Sequence, residues 1–128
     1  MKPIQDLVGV WRLHEYQITD MAGRKLPSGE GFKGVLIYGE EGCVSVLIRR
    51  ESGPTVDGVE QNAMSYFGRY EKTSENELVH IVEIANPVKF EGTFQRRHLR
   101  WDGEMLCLST VDRTDGVHTV VWKRVSLF

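Results

Sequence analysis

The sequence predicts an all-β chain closed into one eight-stranded antiparallel up-and-down barrel with at most one short helix. Three observations carry this. Short segments of alternating apolar and polar residues recur along the whole length. Glycine-centred turns punctuate them, with 13 glycines against four prolines in 128 residues. Eight short strands joined by such turns leave two unpaired edges unless the sheet closes on itself.

The strands are expected near Leu7–Thr19, Lys33–Gly39, Cys43–Arg49, Tyr66–Lys72, Glu77–Ala85, Thr93–Trp101, Glu104–Val111 and Val117–Val125. Turns are marked at Ala22-Gly23, Glu41-Gly42, Asp102-Gly103 and Asp115-Gly116, where glycine accepts the positive φ of a tight hairpin. Two connections are longer. The first, Asp20–Phe32, is glycine-rich. The second, Glu51–Ser65, is expected either as a plain surface loop or, over Gly58–Ser65, as one or two helical turns lying over the barrel as a lid.

A chain of this length makes one domain, residues 1–128, and buries roughly two-thirds of its unfolded surface without needing a metal or disulfide. Sixteen basic and 18 acidic residues give a net charge of -2, which does not suggest general nucleic-acid binding. Cys43 and Cys107 each sit in an apolar run and read as buried free thiols. The start, Met1 to Asp6, has no apolar signal core, and no run approaches the roughly 18 apolar residues of a membrane span. The expectation is a cytoplasmic protein, monomer or homodimer, with no membrane partner. The four histidines, His14, His80, His98 and His118, lack metal-ligand spacing, and no phosphate or dinucleotide fingerprint occurs, so no metal and no cofactor are expected.

Alternation divides each strand into two faces. Trp11, Leu13, Glu15 and Gln17 share one face of the first strand. Leu78, His80, Val82 and Ile84 share one face of the fifth. In the sixth, Arg96, His98 and Arg100 lie together as a solvated face, while Arg97 points the other way with Gln95 and Leu99. An inward guanidinium needs a carboxylate or polar ligand atoms.

The first strand reads Leu7-Val8-Gly9-Val10-Trp11-Arg12-Leu13, and the last ends Trp122-Lys123-Arg124-Val125. Gly-x-Trp opening the first strand, with an arginine in the last, resembles the lipocalin signature. Together with Gly34–Tyr38, Tyr66–Tyr70, His80, Gly92 with Arg97, and Leu106–Thr110, the chain resembles the short bacterial and fungal lipocalin-like domain family over nearly its whole length. That resemblance implies a barrel with a cavity, closed at one end by Trp11 beneath Arg124, a cation–π contact of about 0.5–2 kcal/mol. It implies no particular ligand. Some relatives are cyclases or isomerases.

If Trp11 faces in, so does Glu15. Alternation leaves either Leu36 with Tyr38 or Val35 with Ile37 facing in, and the resemblance favours Tyr38. The expected interior then holds Glu15, Tyr38, Tyr70, His80 and Arg97 in an apolar wall, the composition of a small-molecule site. Glu15 and Arg97 either contact a ligand or neutralise each other. His80 is either a core histidine or the candidate catalytic base. The expected function is binding of a small apolar or amphipathic molecule. The alternatives are a cyclase or isomerase using the same cavity, and a partner-binding barrel with a filled core.

Overall fold

The computed structural model describes residues 4–26, 31–51, 53–110 and 116–126. All eight expected strands form: β1 (Gly9–Thr19), β2 (Phe32–Tyr38), β3 (Cys43–Arg50), β4 (Ala63–Ser74), β5 (Glu77–Asn86), β6 (Phe94–Asp102), β7 (Met105–Thr110) and β8 (Val117–Ser126). Each pairs antiparallel with the next, and β8 returns to β1 along nearly its full length, from Val10↔Ser126 to Thr19↔Val117. The sheet is a closed up-and-down barrel, so none of the eight is left with a bare edge. Val111 and Asp115, expected at the end of β7 and in the following turn, lie outside the described residues.

Tight turns join the strands at one end. Between β6 and β7 only Gly103 and Glu104 intervene, because Asp102 pairs with Met105, and Gly103 takes a φ of +60° that glycine adopts without strain. The helical turns that were one alternative for Gly58–Ser65 do not form. Thr55–Val56 and Val59–Glu60 make a two-stranded hairpin, with Asp57 and Gly58 both at positive φ. That is the backbone of a two-residue hairpin turn, for which Asp-Gly is a strong signal. Helical structure among the described residues is limited to 3-10 turns at Ile4–Leu7 and Val88–Phe90.

Inward side chains follow the alternation until a bulge intervenes. In β1, Leu13 pairs with Trp122 and Glu15 with Val121, so His14 is an extra residue opposite none. An extra residue reverses which parity faces in. Trp11 and Leu13 point to the core, whereas beyond the bulge Tyr16 does. A second bulge lies at Glu83, since Phe67 pairs with Ile84 but Gly68 with Val82. Leu78, His80 and Val82 are buried as expected, but Ile84 is turned outward and is 61% exposed, while Ala85 packs against the core. At this bulge the Ile81 carbonyl comes against Gly68 so closely that a Cβ there would overlap it.

One end of the barrel is packed solid. The Trp11 indole is fully buried, and its Nε1–H donates to the Leu7 carbonyl at 2.8 Å. Arg124 pairs with Trp11 in register and lays its guanidinium 4.2 Å from the indole centroid. The same guanidinium donates to the backbone carbonyls of Val8 and Asp6, tying the entry segment across the barrel floor. Trp101 lies 6.0 Å from Trp11, and Leu7, Tyr38, Val44 and Leu106 fill the space around them.

Candidate binding cavity

The other end is hollow. A cavity of about 340 Å³ opens between the longer connections. This is the low end of the roughly 300–1,000 Å³ range of ligand pockets. Leu36, Val46, Leu108 and Trp122 form its apolar depth. Phe32 from the start of β2 and Phe90 from the 3-10 turn after β5 flank it nearer the mouth, with Gln61, Asn62 and Lys89. The Glu51–Ser65 connection therefore reaches the cavity through Gln61, Asn62, Ala63 and Met64, as part of the rim.

His80 and Tyr66 meet in the cavity wall. His80 is 2% exposed and holds a tyrosine hydroxyl on each ring nitrogen: Tyr38 Oη at 2.6 Å from Nε2 and Tyr66 Oη at 2.5 Å from Nδ1. The register explains the cluster. His80 pairs with Tyr70 across β4 and β5, Tyr66 lies four residues before Tyr70 on the same face, and Tyr38 packs on Tyr70 with centroids 4.5 Å apart. Burial, with the nearby Arg97 guanidinium adding to it, drives the His80 pKa down to about 3, so the imidazole is neutral at pH 7. Burial likewise pushes Tyr66 up to about 12 and raises Tyr38 well above its ordinary value.

Of the residues expected in the interior, His80 and Arg97 line the cavity. Tyr38 is fully buried behind it and reaches it through His80. Tyr70 is buried towards the packed end, where its hydroxyl donates to the Gly39 carbonyl at 3.2 Å. Burial raises its pKa. Glu15 does not face in. Its side chain is 42% exposed, accepts a hydrogen bond from Gln17 and lies 3.5 Å from Lys25, because the His14 bulge turns it to the outer face. The Glu15–Arg97 pair, one of the two alternatives for these residues, is therefore absent. Arg97 instead donates to the Arg96 carbonyl at 2.7 Å and to Gln95 Oε1 at 3.2 Å. Its parity, opposite to Arg96 and Arg100, places it inward as the alternation required.

Tyr66, Tyr16 and His118 are wall residues that the expected interior did not include. Tyr66 shares the parity of Gly68 and Tyr70, so the alternation already contained it. Tyr16 and His118 meet at 2.8 Å near the mouth, with Tyr16 stacked on Phe32 at 4.6 Å. Tyr16 had no signal, because only the bulge turns it inward. No cluster of metal-binding side chains occurs among the described residues, and no helix among them is long and apolar enough to cross a membrane. Cys43 and Cys107 are free thiols. Cys107 is buried, as expected, and Cys43 is only partly so.

Comparison with known proteins extends this description. The lipocalin-like domain family matches residues 8–125, from just before the first strand to the arginine-bearing last one. A search of the curated proteins found no match. Among solved structures, the lipoprotein YedD from Klebsiella pneumoniae is similar at 12% identity and a TM-score of 0.50, over 99% of this chain and 77% of that one. That likeness concerns the fold.

Proposed function

Given that the chain belongs to the lipocalin-like domain family, we propose that it holds a small apolar or amphipathic molecule inside the barrel. The observation that carries the reading is the open-ended cavity, about 340 Å³, with an apolar depth and few polar groups in its wall. A barrel serving only as a docking surface has no use for such a hollow, since filling it would add stability. The catalytic alternative gains little from His80. Both its nitrogens are engaged and its conjugate acid is very weakly held, so it is a poor base at neutral pH. His80 is better suited to fixing the two tyrosines than to taking a substrate proton. The two free thiols agree with a reducing, cytoplasmic location as part of this proposal.

Native mass spectrometry of the purified protein, followed by denaturation and organic extraction, tests the binding role. The expected result is a reproducible extra mass that is lost on denaturation, or a saturable mass shift on adding apolar small molecules. A protein that remains free of ligand with every small apolar or amphipathic compound offered would overturn it.

A further inference from the structure

We infer that the cavity selects an anionic amphiphile, a small apolar body carrying a carboxylate-type head held by the Arg97 guanidinium and the Tyr66 hydroxyl. The inference rests on the binding role proposed above and specifies the ligand's chemistry. The first observation is the charge of the wall. Among the described residues, the charged side chains lining the cavity are Arg97 and Lys89, and no carboxylate lines it. Glu15 lies outside beside Lys25. Both described acceptors of Arg97, a backbone carbonyl and an amide oxygen, are neutral. They use two of its five N–H donors, so its charge meets no counter-charge among the described residues. A half-buried guanidinium in this condition favours an anion over a neutral or cationic guest.

The second observation is the direction of the Tyr38–His80–Tyr66 chain. The Tyr38 hydroxyl is fully buried, and its described partner is His80 Nε2. A buried hydroxyl proton without an acceptor is costly, so Tyr38 donates to Nε2. The neutral imidazole then carries its single proton on Nδ1. That Nδ1–H donates to Tyr66 Oη at 2.5 Å. The proton of Tyr66 is left over, and Tyr66 lines the cavity. The buried relay thus makes Tyr66 a hydrogen-bond donor towards the guest. Burial keeps this phenol protonated, with its pKa pushed up to about 12. A fixed donor and a guanidinium in one wall suit a head group that only accepts.

Calorimetric titration with three probes of ten-carbon chain, decanoate, 1-decanol and decyltrimethylammonium, tests this at pH 8. Their size is chosen because the cavity is about eleven times the ~30 Å³ share of a liquid water molecule. Decanoate is expected to bind at least about tenfold more tightly than decanol, with the cation weakest. Arg97→Met is expected to bring decanoate binding to the level at which the same variant binds decanol. Arg97→Lys should keep part of the preference, and Tyr66→Phe should weaken decanoate about threefold to tenfold. Thermal unfolding of each variant checks that the barrel is intact. Decanol binding as tightly as decanoate, or decanoate binding unchanged in folded Arg97→Met, would sink anion selectivity while leaving the binding role standing. No binding by any of the three would overturn the anionic-amphiphile inference, while the binding role is decided by the mass measurement above.

Discussion

The two ends of the barrel are built from the same strands but spend their side chains differently. At the packed end Trp11, Tyr38, Leu7 and Leu106 are fully buried, Trp101 lies against Trp11, and Arg124 caps the indole. The hairpins there are short: Glu75-Asn76 between β4 and β5, and Gly103-Glu104 between β6 and β7. At the open end the strands are joined by longer connections, and Ile48, Met64, Thr110 and Val120 line the cavity. The His80 cluster sits between the two, bonded to Tyr38 in the packed core and to Tyr66 in the cavity wall. The difference teaches where stability and binding reside. A close-packed end loses dispersion contacts and leaves a cavity when truncated, whereas a wall already facing open space has fewer such contacts to lose.

The contrast breaks first at Trp11. Trp11→Ala is expected to destabilise the protein by about 3–5 kcal/mol, read by chemical denaturation. It removes a fully buried indole, its hydrogen bond to Leu7 and the surface on which Arg124 rests. A melting shift of only a degree or two would mean that this end is not the stabilising one.

The middle of the barrel is sharpened by pH. Folded His80 stays neutral down to about pH 3, whereas in the unfolded chain it takes up a proton near pH 6.5. Its contribution is therefore complete above pH 6.5 and declines as pH falls from there towards 3. Between pH 7 and pH 5 the loss is about 2 kcal/mol, before most carboxylates titrate. Urea denaturation across that window should show it, and His80→Gln, if folded, should flatten the dependence. A wild-type stability that does not change over this window would mean that the imidazole takes up its proton in the native barrel as readily as in the unfolded chain.

The smallest effect is expected at the mouth. Val120→Ala removes methyl groups that face the cavity, so its cost should be under about 1 kcal/mol, while the enlarged cavity accepts a bulkier guest. A cost approaching that of Trp11→Ala would show that the open end is packed in solution.

Much of this was legible from residue order. Strand positions followed from alternation and glycine turns, and the inward aim of Arg97 followed from its parity against Arg96 and Arg100. The pairing of Trp11 with Arg124, 113 positions apart in the chain, was legible only through the resemblance to a family, since nothing local links them. Asp57-Gly58 carried a hairpin signal that the helical reading of Gly58–Ser65 passed over. Glu15, Tyr16 and Ile84 were different. Counting by twos holds only while each residue has a partner, and the extra residues at His14 and Glu83 change the count without altering the hydrophobic pattern.

By itself the sequence determined that this chain forms an eight-stranded barrel, because alternation and turn chemistry are local and act within a few residues. Only the tertiary structure decided which polar groups share the cavity. It joined His80 to tyrosines from two other strands, left Arg97 without Glu15, and turned Tyr16 into the wall. Those outcomes depend on register and bulges, which are settled when distant strands pair and the barrel closes.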